Sequence, residues 1–427
     1  MELMGYLRLK DLQYKGKKVI VRMDLDVPFD RQGNIADDSR LEKALPTLHY
    51  LLEHDAKVII MGHVGRPKGQ VVDSLRTDKV ALRIKRLLDN RYDVKKLHDC
   101  IGVEHEIGSM KPGCVAVLEN LRFHEEEKSN DEGFARKLAG LADIYVNESF
   151  ATAHRDNASV TGVPKFIPGV MGLRFEQELR MLSMIHSPDR PFVVIMGGLK
   201  ISDKIKVIET LLEKADVLLI CGAMANTFLK AQGKGIGKSV YDEASVDFAR
   251  SLLSKNKLVE YPNFDQKIYK VILPVDLICA EKLEEDSKTR LCTPNNVPKD
   301  YYIVDIGPRT IALYEEIILN SQMVFWNGPA GFFEVEDFAF GTNELAKFMA
   351  QTTARTIVGG GDTAEAIYRM KLERNFTHVS TGGGASLKFI EDSQLPAVKA
   401  LEDSCSSNKE AFRDLRIADS LHPELLH

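Results

Sequence analysis

Several features that mark special classes of protein are scarce or missing in this sequence. Its six cysteines form no CxxC pair, which argues against a disulfide framework and a cysteine-based zinc site. No apolar run approaches the roughly 18 residues of a membrane helix, and the first ten residues lack the apolar stretch of a secretory signal. A net charge of -5 argues against general affinity for nucleic acid. We therefore expect a cytoplasmic enzyme with neither a membrane nor a nucleic-acid partner.

What is present is an alternation of short apolar runs with helical patterns. Strand candidates in the first half are Val19–Met23, Lys57–Met61, Cys114–Leu118 and Ile144–Val146. Those in the second half are Phe192–Met196, Val217–Cys221, Tyr269–Leu273, Tyr302–Asp305, Met323–Trp326, Thr356–Val358 and His378–Ser380. Leu41–Leu52 and Asp78–Leu88 have helical spacing. This βαβ rhythm over 427 residues predicts two α/β domains with parallel sheets, whose ligands bind beyond the carboxyl ends of the strands.

Basic side chains follow four successive strands of the first half. They are Arg40, His63, Arg66, Arg122 and Arg155. Each alone is an ordinary surface cation, but their repeated position at strand ends predicts one shared rim. Because the arginine fork matches carboxylate and phosphate oxygens, the rim predicts a pocket for a small, multiply charged anion.

The stretch FVVIMGGLKISDKIK, residues 192–206, predicts a second anion site. A buried strand leads into a glycine turn, Lys200, and a helix that we expect Ser202 to cap, with Lys204 one turn further on. Free amides and the helix dipole at such an N-terminus favour negative charge. An ordinary βα loop with two solvated lysines is the alternative.

Glycine clusters recur at the strand-to-helix turns of the second half, which suits close approach of a nucleotide. Two matches to known motifs are deceptive. Residues 233–239 lack the first glycine of a P-loop, and we interpret them as a helix end followed by a loop. Gly359–Ala364 fits GxGxxA, but the acidic residue expected about 20 positions later is missing.

Taken together, the motifs closely resemble those of phosphoglycerate kinases. The matching segments are MDLDVPFD (23–30), MGHVGRPKG (61–69), ENLRFHEEE (119–127), NESFATAHR (147–155), GGLKISDKI (197–205), LPVD (273–276), DIGPRT (305–310), WNGPAGFFE (326–334), GGGDT (359–363) and STGGGAS (380–386). They run in order through almost the whole chain. The resemblance implies reversible, Mg²⁺-dependent transfer of a phosphoryl group from 1,3-bisphosphoglycerate to ADP, giving ATP and 3-phosphoglycerate, by a monomeric glycolytic enzyme.

The resemblance also assigns residues to sites. The triose-binding residues are Asp24, Asp26, Arg40, His63, Arg66, Arg122 and Arg155. The nucleotide-binding residues are Gly198, Lys200, Lys204, Gly222, Asn327, Glu334, Gly360, Gly361, Asp362 and Thr363, with a phosphate loop at Gly382, Gly383 and Gly384. The resemblance implies that Arg40, Lys200 and Lys204 are catalytic and that Asp362 binds the metal.

Two Rossmann-like three-layer domains joined by an interdomain helix and hinge are the implied architecture. We expect a triose domain at 1–172, the helix and hinge at 173–190 and a nucleotide domain at 191–388. The last segment, 389–427, would return to the triose domain and carry an extension. Domain closure about the hinge would then assemble the site and exclude water.

The chain departs from the family pattern at a few places. Asp26 stands where the family usually has asparagine, so its charge would weaken binding of 3-phosphoglycerate unless an arginine of the rim or a proton offsets it. Leu199 replaces a smaller residue. In the extension, Phe412, Leu415, Ala418 and Leu421 fit a short amphipathic helix that docks on its own chain, binds a partner or stays disordered.

Two other functions stay open at this point. A dinucleotide-dependent oxidoreductase would quench NADH fluorescence and would not need Mg²⁺. A catalytically silent homologue acting as an interaction protein would have lost Lys200, Arg40 or Asp362, yet all three are present.

Overall fold

A computed structural model describes residues 7–415, which divide into two units. The first unit contains residues 7–180 and 394–415, and the second contains residues 181–393. Within the described residues, no helix is both long and apolar enough to cross a membrane.

The first unit is built on a six-stranded parallel sheet. Its strands are β1 (Lys18–Arg22), β2 (Lys57–Met61), β3 (Val94–Lys96), β4 (Val115–Val117), β5 (Ile144–Asn147) and β6 (Gly169–Met171). They lie in the order β3-β4-β2-β1-β5-β6. The four central strands are almost wholly buried, as expected for a sheet covered on both faces.

Helices of this unit are short. They are α1 (Ser39–Glu42), α2 (Leu45–Glu53), α3 (Asp78–Leu87), α4 (Glu104–Gly108), α5 (Glu125–Ser129), α6 (Glu132–Ala139) and α7 (Leu173–Ser183), the last of which continues into the second unit. The single helix predicted over Leu41–Leu52 is wrong, since Pro46 lies at the start of α2. Proline lacks the N–H that would continue the preceding turn, so the chain forms two helices instead.

The second unit contains another six-stranded parallel sheet. The strands of the whole unit, in chain order, are β7 (Phe192–Met196), β8 (Val217–Ile220), β9 (Leu258–Val259), β10 (Ile268–Tyr269), β11 (Val271–Ile272), β12 (Leu277–Ala280), β13 (Thr289–Cys292), β14 (Tyr302–Ile306), β15 (Met323–Asn327), β16 (Arg355–Gly359) and β17 (His378–Val379). The parallel sheet has the order β11-β8-β7-β15-β16-β17. Helices α8 (Ile205–Lys214), α9 (Gly222–Ala231), α10 (Val246–Ser254), α11 (Pro308–Leu319), α12 (Phe340–Gln351), α13 (Gly361–Arg369) and α14 (Gly384–Asp392) connect them.

In the second unit, one predicted strand is divided into two, and another is confirmed but lies in a different sheet. The run Tyr269–Leu273 is split, with β10 antiparallel to β9 and only β11 in the parallel sheet. The strand predicted at Tyr302–Asp305 exists, but it belongs to a separate antiparallel sheet of order β13-β12-β14. The P-loop-like segment follows α9 and is a turn and loop, as predicted.

The end of the chain packs on the first unit. The Oγ of Ser404, in α15 (Pro396–Ser407), accepts a hydrogen bond from the amide of Gly169 at 3.0 Å. In α16 (Lys409–Leu415), Phe412 and Leu415 are buried in the core of that unit. The extension therefore docks on its own chain as far as Leu415, while Ala418 and Leu421 lie outside the described residues.

Candidate active site

Three of the predicted arginines line a single cavity of about 1030 Å³ in the first unit: Arg66, Arg122 and Arg155. Arg122 is held by a 2.8 Å hydrogen bond from Nη1 to the carbonyl of Gly65. Burial, reinforced by the charge of Arg155, lowers the pKa of Arg122 to about 10. The buried Nη1 of Arg155 has no hydrogen-bond partner among the described residues. Crowded cations with an unsatisfied donor favour an anionic ligand.

The remaining predicted residues of this rim contact one another. Arg40 Nη1 donates to Asp24 Oδ2 at 3.3 Å and to the backbone oxygen of Asp26 at 2.9 Å. The Asp26 carboxylate accepts the amide of Gly65 at 2.8 Å, and its other oxygen lies 3.8 Å from Nε2 of His63. Burial raises the pKa of Asp24 against the opposing charge of Arg40. The turns after β1 and β2 are thus joined through side chains.

Sequence reasoning missed Arg22, a fully buried arginine at the end of β1. Its Nε donates to Ser159 Oγ at 3.0 Å, and its Nη2 lies 2.9 Å from Nδ1 of His63. Because a guanidinium can only donate, Nδ1 must accept and Nε2 carries the hydrogen. Burial and Arg22 both lower the pKa of His63, so the ring is neutral. Its pair with Asp26 is therefore no ion pair, and His63 presents an N–H donor.

In the second unit, the glycines at three strand ends allow the turns themselves to touch. A Cβ on Gly197 would lie 2.2 Å from the carbonyl oxygen of Pro329, and one on Gly328 would lie 2.2 Å from the backbone of Gly197. The amide of Gly197 donates to Asn327 O at 2.8 Å, and that of Gly222 to Ala330 O at 2.9 Å. These glycines serve contact between turns, because their amides are already bonded to protein.

A cavity of about 460 Å³ lies beside these turns. Predicted residues that line it are Gly198, Lys200, Lys204, Asn327, Gly360, Gly361, Asp362, Thr363, Gly383 and Gly384. Helices α13 and α14 both begin at this cavity, so two helix N-termini and two ammonium groups surround one space. That combination suits a polyphosphate. The remaining glycine of the predicted phosphate loop, Gly382, donates its amide to Ser380 Oγ at 3.1 Å.

The predicted cap at Ser202 is wrong. A 3₁₀ turn spans Ser202–Lys204, α8 follows it, and no side chain caps α8. The amides of Ile201 and Ser202 donate to the carboxylate of Asp242, at 3.2 and 2.8 Å. These two amides are therefore not free for a phosphate. Lys204 is held instead by a bond from Nζ to Gly197 O at 3.2 Å, and burial lowers its pKa.

A second cavity, of about 250 Å³, adjoins the first and is more apolar. Exposed Leu199, Val240 and Phe332 contribute to its walls, and Gly222 and Glu334 line it as predicted. Both cavities share Asp362. An apolar slot continuous with a cationic one has the shape and polarity of a nucleoside joined to phosphates.

We call the cavity of about 460 Å³ the polyphosphate cavity and the cavity of about 250 Å³ the apolar cavity. The residues around the polyphosphate cavity are suited to binding Mg²⁺. Asp362 and Asp203 supply carboxylate oxygens beside the two lysines. Magnesium is bound in such sites by one or two carboxylates together with substrate phosphates. Asp362 is thus a fitting ligand for a metal brought in by the nucleotide.

Comparisons with known proteins identify the family of this chain. The family model described as phosphoglycerate kinase matches residues 9–393. A phosphoglycerate kinase from Dictyoglomus turgidum is 48% identical over 93% of this chain and 98% of that protein, and one from Moorella thermoacetica is 46% identical over 94% and 100%. The solved phosphoglycerate kinase from Coxiella burnetii has a TM-score of 0.81 at 36% identity, covering 93% of this chain and 99% of the other.

The chain belongs to the phosphoglycerate kinase family. This confirms the resemblance to phosphoglycerate kinases that the motifs indicated. It also confirms the α/β fold with two parallel sheets and the assignment as a phosphotransferase. The comparisons support neither the oxidoreductase nor the silent homologue. Arg22, which the motif matches overlooked, could have been noticed as the one charged residue that closes a strand otherwise made of valine and isoleucine after Lys18.

One further cluster has chemically capable side chains. Asp99, Cys100 and His124 bring possible metal ligands within 4.8 Å of one another. His124 Nε2 lies 2.8 Å from Asp99 Oδ1, which also accepts the amide of Cys100 at 2.7 Å. Because these groups form hydrogen bonds with one another, their close approach is explained without a metal ion.

Proposed function

We propose that this member of the phosphoglycerate kinase family transfers a phosphoryl group reversibly between 1,3-bisphosphoglycerate and ADP. The products are 3-phosphoglycerate and ATP. A requirement for Mg²⁺, a monomeric state and a cytoplasmic location belong to the same proposal. The observation that carries it is the second-unit cavity in which Lys200, Lys204 and the N-termini of α13 and α14 meet.

The first unit would bind the triose through its arginine rim. We assign the phosphate of 3-phosphoglycerate to the cavity of Arg66, Arg122 and Arg155, where an unpaired buried donor supports an anionic ligand. Neutral His63 would donate from Nε2 to a substrate oxygen. Arg40 would neutralise the reacting carboxyl or acyl phosphate.

The second unit would bind the nucleotide. Leu199, Val240 and Phe332 support binding of the base, and Glu334 supports contact with the ribose. Lys200, Lys204 and the amides at Gly383 and Gly384 would bind the phosphates. When bound, Mg²⁺ held by Asp362 would neutralise phosphate charge and orient the terminal phosphate.

Charge neutralisation is then the main catalytic task. Negative charge spreads over the equatorial oxygens in phosphoryl transfer, and arginine and lysine donors stabilise it. The acceptor in the ATP-consuming direction is a carboxylate, which is ionised at neutral pH, so no strong general base is needed. We therefore propose Arg40, Lys200 and Lys204 as the catalytic residues.

The test is product formation with matched lysine variants. Purified protein given 1,3-bisphosphoglycerate and ADP should form ATP, and EDTA should abolish this. Lys200→Met should lose at least about 10²-fold in kcat, the scale of a lost transition-state donor. Lys206→Met is the control, because Lys206 is 74% exposed, pairs with Glu391 and does not line the cavity.

Two results would contradict the proposal. One is the absence of ATP formation by folded protein. The other is quenching of NADH fluorescence by a protein whose catalysis is indifferent to Mg²⁺, which would indicate an oxidoreductase.

A further inference from the structure

Asp242 lies 40 residues from Ser202 in the chain but bonds directly to the loop that carries Lys200. Its Oδ2 accepts the amides of Ile201 at 3.2 Å and Ser202 at 2.8 Å, and also the hydroxyl of Ser245 at 3.0 Å. All three bonds end on one oxygen atom. The two residues that follow Lys200 are thus bound by their backbone to a single carboxylate.

This carboxylate is itself anchored to a rigid element. The amide of Asp242 donates to Oγ1 of Thr227, a buried residue of α9, at 3.0 Å. One residue earlier in α9, Asn226 Nδ2 donates to the carbonyl of Val240 at 3.0 Å. Asn226 and Val240 also line the apolar cavity. Hydrogen bonds therefore run from the wall of that cavity, through Asp242, to the loop after Lys200.

The two lysines depend on this anchor to different degrees. Lys204 is partly buried, and its ammonium group bonds to Gly197 O, so its position has a second support. Lys200 is exposed and lines the polyphosphate cavity, and no hydrogen bond or ion pair is found for its ammonium group within residues 7–415. Its position is therefore set by the backbone beside it.

We propose that Asp242 is a positioning residue for Lys200 and acts by hydrogen-bond geometry rather than by charge. The proposal rests on the function proposed above. It predicts that displacing Oδ2 of Asp242 lowers kcat, because Lys200 would reach the transferred group less often. Affinity for ADP should change little, because Lys204 and the apolar cavity remain.

Three substitutions separate geometry from charge. Asp242→Asn removes the charge but keeps an oxygen able to accept all three bonds. Asp242→Glu keeps the charge and moves the oxygen by one methylene, and Asp242→Ala removes both. Ser245→Ala is the matched control, because it deletes a donor to the same oxygen without touching the lysine loop.

The measurements are kcat, KM for ADP, ADP affinity by calorimetry and the thermal unfolding midpoint. We expect Asp242→Ala and Asp242→Glu to lose about tenfold or more in kcat, equivalent to about 1.4 kcal/mol. Asp242→Asn and Ser245→Ala should stay within about threefold of wild type, as should the KM for ADP in all four variants. If the alanine variant does not fold, the asparagine and glutamate variants still give opposite expectations.

A double-mutant cycle tests whether Asp242 affects kcat through Lys200. In a Lys200→Ala background, Asp242→Glu should lower kcat no further, because the residue through which it acts is gone. An additive loss would overturn the proposal, as would wild-type kcat in the glutamate variant or an equal loss in the asparagine variant. Inactive wild-type protein would instead refute the proposed function, so the two failures are distinguishable.

Discussion

Replacing Asp26 with asparagine should strengthen binding of 3-phosphoglycerate. The Asp26 carboxylate accepts the amide of Gly65, a bond that asparagine can keep through its oxygen. Arg40 donates to Asp24 and to the backbone oxygen of Asp26, not to the Asp26 carboxylate. Arg122 and Arg155 interact with the Asp26 charge but have no ion pair with it within residues 7–415, so part of their attraction is now directed at Asp26 and not at a substrate. The adjacent His63 is neutral. The substitution therefore removes a negative charge beside the rim and leaves the loop geometry intact.

Coulomb's law sets the size of the effect. Two unit charges about 6 Å apart repel by about 0.7 kcal/mol in water and about 1.4 kcal/mol at half that dielectric constant. The Asp26 side chain is 40% exposed, which favours the smaller figure. We expect the KM for 3-phosphoglycerate to fall about threefold, with kcat little changed.

The assay is the initial rate against 3-phosphoglycerate at saturating Mg²⁺ and ATP, at about 10 mM and about 150 mM ionic strength. A charge effect should shrink at the higher salt concentration. Asp89→Asn is the control, because it removes the same charge just after the C-terminal end of α3, and asparagine tolerates the positive φ there. Equal KM values for Asp26→Asn and wild type at low salt would refute the reasoning.

Three other substitutions test separate parts of the molecule. Arg40→Ala should lower kcat at least about 10²-fold, and a value within a few-fold of wild type would reject its catalytic role. Burial raises the pKa of Glu148 from 4.5 to about 8, so the wild type loses stability as the pH rises through that window. Glu148→Gln should remove this pH-dependent loss of stability. In urea unfolding, the free energy of unfolding of the variant minus that of wild type should therefore be larger at pH 8 than at pH 5, and a pH-independent difference would contradict this. Because Phe412 is buried in the first-unit core, Phe412→Ala should lower the free energy of unfolding by about 3–5 kcal/mol, whereas exposed Arg413→Ala should change it little.

The sequence predicts the parallel sheets better than any other feature. The bounds of β2 and β7 agree with the predicted runs, because strands buried on both faces are continuous apolar segments bounded by turn residues. Strand β13 of the antiparallel sheet was missed for the opposite reason. Three of the four residues of β13 are exposed, so its sequence has neither a buried run nor a clear alternation.

Positions after strand ends predicted that arginines from separate turns lie together, and Arg66, Arg122 and Arg155 do line one cavity, since the topology brings those strand ends to one edge. The sequence does not predict the protonation state of each side chain in the site. The neutrality of His63 follows from its burial and from its contact with Arg22, and that contact joins residues 41 positions apart through a side chain assigned to the strand. Protonation depends on such neighbours rather than on residue type.

In the second unit, most of the predicted residues line one cavity, but the physical reason given for their prediction was wrong. The glycine turn and helix start after β7 predicted an anion site because their amides would be free. The amides of Gly197, Ile201 and Ser202 are instead bonded within the protein. Helix N-termini at the cavity are supplied by α13 and α14 from later in the chain, while the first turn supplies the lysines. The helix dipoles and the ammonium groups therefore come from different segments of the chain. A mutation that displaces only one of these segments would remove its contribution to anion binding and leave the other in place.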